Sequence, residues 1–367
     1  MPDTFKAWIG RDETAATGGL TFGDIEPKVF EADDVDVAVV YSGICGTDVS
    51  ALGGEFGPIA PFGPRVAGHE VVGRVIRKGS AVTHLSVGDF VGVGAQADCC
   101  RQCKWCVEER VNYCTKMTVT YGGSKYQRGA AKAAKQQSYG GFAKHWRGSA
   151  KFAVKIPTGL DPALAAPLCC GGLTVYAPLR RWGAGTQRAR NVGVVGIGGL
   201  GHMAILIAKG MGAHVTAISR GTSKRDDAFR LGADAYIATS ENTRADFKQH
   251  RRSLDLIICT INPPELPLND YLGLLAPEGQ MVLVGVVLSP MDLMSGSLIA
   301  NATGVSGSVI GTPEELGELF ALAASGGVKP WINKVDMDDI NQAIPAAKAG
   351  KAKYRYVLVN KDNGGVV

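Results

Sequence analysis

Residues 191–212 read NVGVVGIGGLGHMAILIAKGMG, and the fold follows from how that stretch is built. Its first seven residues are an apolar run of strand type, and from Leu200 onward the apolar residues recur at helical spacing. Between the two runs stands Gly196-Ile197-Gly198-Gly199-Leu200-Gly201. As a bare string this motif carries little information, but between a strand and a helix each glycine has a task. Gly196 allows the tight turn, Gly198 lets a pyrophosphate approach the backbone, and Gly201 lets the helix lie close to the sheet. The phosphates of a dinucleotide then rest on free N–H groups at the helix start, around Gly199 and Leu200. A glycine-rich turn without a ligand is the competing reading.

The following strand, HVTAISR (214–220), indicates which dinucleotide. An NAD site normally ends this strand with Asp or Glu, whose carboxylate takes the ribose hydroxyls. Here the place belongs to Ser219, followed by Arg220, Thr222, Lys224 and Arg225. Small hydroxyls and cations attract a 2′-phosphate that a carboxylate would repel, so NADP(H) is expected. Solvated charge at a helix start is the bland alternative, but cations there oppose the helix dipole unless an anion is bound.

Working outward, strand and helix patterns alternate downstream: a helix at 223–232, then strands at 255–260, 280–286 and near 304–311. Such alternation predicts a parallel sheet with crossover helices. Upstream, residues 35–45, 70–79 and 88–94 are β-rich pieces punctuated by glycine, with no helical period before about residue 160. A helix should open at 161–183, with Asp161 as cap and Pro162 at the first position. The tail, with a helical pattern at 313–326 and strands at 332–335 and 354–360, can pack back on the first part. The expected division is 1–165, 166–309 and 310–367, the last returning to the first domain. One low-complexity insert, SKYQRGAAKAAKQQ (124–137), carries four basic and no acidic residues and reads as a surface loop or a flap near the cleft, the solvated loop being favoured.

A chain of 367 residues with 46% hydrophobic and 20% charged residues suits a two-domain soluble protein. Its net charge of +5 includes no basic tract of the density nucleic-acid binding needs. No apolar core of a signal peptide opens the chain, and the longest apolar stretch, 192–208, is broken by glycines, so neither export nor a membrane span is expected. Nine cysteines then favour metal and thiol chemistry in a reducing compartment, by default the cytosol. Four of them, Cys100, Cys103, Cys106 and Cys114, fall within fifteen residues at spacings that suit one tetrahedral four-cysteine zinc. Four ligands close the shell, so this metal is structural.

Cys45, His69 and Cys170 can hold a second metal, but they are too far apart in sequence for spacing to group them. What groups them is the order of GICGTD (43–48), GHEVVG (68–73), GDFVGVG (88–94), the four-cysteine loop, YGGFAKH (139–145), PLCCGGLTVY (167–176) and GVVGIGGLGH (193–202). Over nearly its whole length, the insert excepted, the chain resembles zinc-dependent medium-chain alcohol dehydrogenases. Within them it is most similar to the cinnamyl-alcohol-dehydrogenase branch, and there to fungal NADP-dependent members. The fold implied is α/β: a Rossmann dinucleotide-binding domain plus a mainly β GroES-like catalytic domain.

The resemblance also implies one catalytic zinc on Cys45, His69 and Cys170, with Glu70 beside it as an occasional ligand, besides the structural zinc. Cys169 takes a place usually held by leucine and is expected to be packing. Asp48 would orient His69. The reaction implied is hydride transfer between NADP(H) and a small-molecule aldehyde or primary alcohol, with aldehyde reduction favoured. The alternative on the same scaffold is reduction of a conjugated C=C or iminium bond. A non-catalytic zinc module is a third reading, which would not need the glycine fingerprint. Thr47 would begin a proton relay, and Ser50 stands where relatives often carry histidine. The pocket wall would comprise Leu52, Phe56, Val119, Cys169 and residues near 287–291, with Val119 near a tryptophan of plant relatives. Homodimers are common in this branch and would pair through the strand near 304–311.

Overall fold

Six parallel strands in the order Ala235–Ala238, His214–Ser219, Asn191–Val195, Leu254–Cys259, Leu275–Leu283 and Gly304–Gly307 organise the C-terminal half of the chain. The computed structural model describes residues 4–59, 64–122, 125–240, 247–263, 266–286 and 289–367. It divides into two units, one of Gly171–Gly311 with Ser325–Lys329, the other of Met1–Cys170, Thr312–Ala324 and Pro330–Val367.

The six-stranded sheet belongs to the first of these. Val192, Val194, Leu256, Ile257 and Ile258 are fully buried, as expected of central parallel strands covered on both faces. The strand order reverses between Asn191–Val195 and Leu254–Cys259, and such a switch point leaves a crevice beyond the carboxyl ends of the strands. The helix Gly201–Gly210 begins directly after that crevice. The helix expected at 223–232 is shorter, Arg225–Arg230, and the edge strand Ala235–Ala238, with only four residues, gives no pattern to read in sequence.

The other unit is built on a mainly antiparallel sheet ordered Ile332–Asp336, Arg355–Val359, Asp34–Ile44, Val71–Lys78, Phe90–Val93 and Val154–Lys155, with His145–Ser149 also pairing Asp34–Ile44. The tail therefore supplies two strands to the sheet begun by the N-terminal part. Its core is aliphatic, with Val35, Val37, Val39, Val71, Val75, Val91 and Val93 fully buried. Asp161 accepts from the Ala163 N–H at 2.9 Å, with Pro162 at the first helical position, so the cap read from sequence is the cap found. The helical run Pro162–Trp182 is long and apolar enough to cross a membrane, but 78% of its apolar window is buried inside the protein, as in a core helix.

Two expectations are corrected. Helices do occur before residue 160: Gly46–Leu52, Lys104–Val107 and Gly129–Ala133 are each too short to show a period. The insert is only in part a solvated loop: Lys125, Lys132 and Lys135 are exposed, but Gly129–Ala133 is a helix. Ser124 lies outside the described residues; from Lys125, which bridges to Gln137, the segment folds back on the sheet. Tyr126 and Ala131 are buried, and Arg128 is ion-paired to Asp98 at 2.8 Å and to Asp33 at 2.6 Å. The acidic partners lie elsewhere in the sequence, which is why composition within the insert misleads.

Candidate active site

Antiparallel pairing assembles the central cluster. Ser42 pairs with Val71, so Cys45, just past one strand, meets His69 and Glu70, just before the next. Tyr356 pairs with Ile44 on the other side, which sets Arg355 beside Cys45. Cys170 arrives on a π-helical turn, Leu168–Gly172, a local widening of the helix often found at functional sites. One ligand atom each from Cys45, His69, Glu70 and Cys170 lies within 4.8 Å of all the others. Gly43 permits the approach, since a Cβ there would sit 1.9 Å from Glu70 Oε2.

Asp48 locks this arrangement. Its Oδ2 accepts from the Cys45 N–H at 2.8 Å, and its Oδ1 accepts from the Gly68 N–H at 3.0 Å and faces His69 Nδ1 at 2.9 Å. Nε2 of His69 is thereby turned toward Cys170 Sγ, 3.1 Å away. The Cys45 thiol is pulled well below its ordinary range, first by its hydrogen bond with Cys170 and then, against burial, by the charges of Arg355 and His69. Cys170 is pushed the other way by the same bond and by burial. Burial also raises the Glu70 carboxyl to about 7, against the pull of Arg355, whose guanidinium donates to Glu70 Oε1. Two buried cysteine sulfurs and an imidazole with one nitrogen already committed form a donor set suited to zinc.

The four-cysteine loop passes a geometric test. Sulfurs bound at 2.3 Å around one tetrahedral centre lie about 3.8 Å apart. Here Cys100 and Cys106 are separated by 3.9 Å, Cys103 and Cys106 by 3.6 Å, and Cys114 and Cys100 by 3.5 Å. Backbone N–H groups, that of Gln102 foremost, bring the Cys100 thiol down to about 6, so it is ready to ligate.

The nucleotide loop also fits its ligand. Gly196 has φ +90°, and a Cβ on Gly201 would lie 1.8 Å from the Gly196 carbonyl oxygen. At Gly198, by contrast, a Cβ would meet nothing within 4 Å, so the backbone faces open space where a pyrophosphate can approach. Gly199 and Leu200 form the turn into the helix. Ser219 ends its strand; Arg220 and Arg225 are exposed, and Lys224 reaches back to the Ile197 carbonyl, its ammonium pKa lowered chiefly by burial.

Thr47 and Ser50, three residues apart on the helix Gly46–Leu52, lie on its accessible side, whereas Asp48 is fully buried. Among the expected wall residues, Phe56 and Val119 are accessible at 59% and 38%. Leu52 is corrected, since it is 0% exposed and lies in the apolar core; Cys169, also 0% exposed with its thiol toward the Ala165 carbonyl at 3.4 Å, is packing as expected and not wall. Of the stretch 287–291, Val287 and Leu288 lie outside the described residues, and Met291 is accessible. Two residues were missed in the sequence, Arg355 and Tyr121. Arg355 shares the inward register of Val357 and Val359, and an arginine on a buried strand face is a signal that can be read. Tyr121, whose ring lies against His69, gives no such signal.

Residues 31–158 match the alcohol dehydrogenase GroES-like domain and residues 199–325 the zinc-binding dehydrogenase domain. A probable cinnamyl alcohol dehydrogenase of Lolium perenne is 40% identical over 97% of this chain and 94% of its own length, and cinnamyl alcohol dehydrogenase 2 of Oryza sativa is equally similar. Among solved structures, a cinnamyl alcohol dehydrogenase from Sorghum bicolor superimposes with TM-score 0.88 at 35% identity over 99% of both chains. The CAD from Helicobacter pylori, complexed with NADP(H), superimposes with TM-score 0.85 at 29% identity over the full length of both.

Proposed function

This chain belongs to the zinc-dependent medium-chain alcohol dehydrogenases, and from that membership we propose that it reduces aldehydes to primary alcohols with NADPH. The observation that carries the reading is the buried cluster of Cys45, His69 and Cys170 ordered by Asp48. In this reading those three residues hold the catalytic zinc with Glu70 in reserve, and Cys100, Cys103, Cys106 and Cys114 hold the structural one. The unit that contains the cluster is the catalytic domain, and the one that contains the glycine loop is the cofactor domain. Zinc supplies a Lewis acid for the carbonyl oxygen and NADPH supplies the hydride.

The protein's own part is to hold the groups and move the proton. Gly196, Gly198, Gly199, Leu200 and Gly201 shape the seat of the pyrophosphate. Ser219, Arg220, Lys224 and Arg225 favour a 2′-phosphate over a bare ribose, which the NADP(H) complex of the Helicobacter pylori relative supports. Thr47 Oγ1 would donate its proton to the product oxygen, and Ser50 Oγ, on the same helix face, would relay a replacement proton from water to Thr47. A serine hydroxyl is no base near neutral pH, so Ser50 conducts rather than titrates. Phe56 and Val119 contribute to the wall that receives the organic group.

We further read the protein as a homodimer in a reducing compartment, the cytosol. Gly304–Gly307 is the end strand of its sheet, with Ile299 78% exposed nearby, and all nine cysteines are free. Gel filtration at the monomer mass would remove the dimer.

The deciding experiment compares kcat/KM for aromatic and aliphatic aldehydes and conjugated enals, with NADPH and with NADH. Alcohol products with the double bond retained, and a preference for NADPH that falls in Arg220→Asp/Lys224→Ala, are expected. A saturated aldehyde as the product from an enal would overturn carbonyl reduction, and an unchanged cofactor ratio in the double variant would overturn the role given to these cations.

A further inference from the structure

Hydrogen bonding fixes the His69 imidazole at Nδ1, through Asp48 at 2.9 Å. One such bond sets the tautomer but leaves the ring able to rock about it, which swings Nε2. A second surface removes that freedom. The Tyr121 ring lies against the imidazole with centroids 5.6 Å apart and 24° between planes, an offset-stacked contact. Tyr121 is 7% exposed, its hydroxyl lies toward Asp48, and its ring presents a face to the imidazole.

Tyr121 is mounted on a backbone that the insert braces. It follows the strand Thr118–Val119, which pairs with Gln96–Asp98. The Thr120 N–H donates to the Ala95 carbonyl at 3.0 Å, and the Thr120 hydroxyl to that of Gly94. Ser138, the residue that follows the insert, donates through Oγ to the Val119 carbonyl at 2.7 Å. Arg128 of the insert clamps Asp98, the far end of the same small sheet, at 2.8 Å and ties it to Asp33 at 2.6 Å.

We propose that Tyr121 is a positioning residue for His69, aiming Nε2 at the metal position, and that the insert, through Arg128, and Ser138 just after it brace the segment that carries it. The proposal rests on the reading of Cys45, His69 and Cys170 as zinc ligands. It gives a task to the insert, which has no part in the chemistry itself.

The test follows release of zinc from full-length, zinc-loaded protein into excess pyridylazoresorcinol. Cys45→Ser and Cys103→Ser assign the two release phases. Tyr121→Leu should speed the Cys45-dependent phase about tenfold or more, in the range typical of lost outer partners, and leave the other phase as an internal control of folding. Tyr121→Phe should release both metals within about twofold of wild type, because it keeps the ring. A wild-type rate in Tyr121→Leu would overturn the proposal, as would equal acceleration in Tyr121→Phe. Should Tyr121→Leu lose both phases, Ser138→Ala decides: faster release confined to the Cys45-dependent phase supports the brace, and unchanged release overturns it. Wild-type protein releasing a single zinc would instead remove the ligand reading.

Discussion

The four-cysteine loop and the Cys45–His69–Cys170 cluster share one unit and much the same thiol chemistry, yet their surroundings differ. The loop draws four sulfurs from fifteen consecutive residues, and two of them, Cys100 and Cys103, are only half-buried. The cluster takes donors from three distant stretches, seals them inside, and surrounds them with Asp48, Glu70 and Arg355, all three buried. A set of four identical ligands in a short loop can close around its ion with little help. A mixed set with a place left open needs charged neighbours to hold each donor, and these make the centre reactive. One centre should therefore govern folding and the other chemistry.

The sharpest way to break this contrast is Cys45→Ser. Its aldehyde reduction should fall by more than the roughly 10–100-fold typical of losing an outer partner, with circular dichroism unchanged and the loop zinc retained on elemental analysis. Activity near that of the parent would end the assignment of the cluster. Asp48→Asn should cost about 10–100-fold in activity or zinc affinity, because it weakens the hold on the His69 tautomer without removing a ligand. An intact turnover would move the orientation of His69 elsewhere.

Cys103→Ser should act on the other side of the comparison. A loss of about 3 kcal/mol lowers the melting temperature of a 150–250-residue domain by roughly 6–12 °C, while kcat per zinc at the cluster stays near that of the parent. A loss of turnover without a change in melting would invert the two roles. The smallest effect concerns the proton path. Ser50→His introduces a group that titrates near neutrality and should add a step to the pH profile of alcohol oxidation between about pH 6 and 7. Superimposable profiles would place position 50 outside the path.

Legibility in the sequence followed the range of the interaction. The glycine loop at 196–201 and the four cysteines at 100–114 are local devices, so their spacing in the chain is nearly their spacing in space. The alternation after residue 190 gave the parallel sheet for the same reason, apart from the four-residue edge strand Ala235–Ala238. Leu52 shows the opposite case. Its side chain enters the apolar core, because a seven-residue helix turns successive positions through different environments that no pattern resolves. The insert's composition pointed to solvent, yet Arg128 finds Asp33 and Asp98, which lie on other segments of the chain.

By itself the sequence determined the fold class and marked the two local devices proposed to chelate metal and bind phosphate and, through the resemblance its motifs carry, the proposed ligand set. Only tertiary structure decided what surrounds those ligands. Strand register puts Arg355 across from Cys45 and His69 beside it, and a bend after the small ladder lays Tyr121 on the imidazole. The physical reason is that backbone geometry is set by near neighbours in the chain. The charge and packing around a buried ion are set by segments that meet only once the sheet has closed.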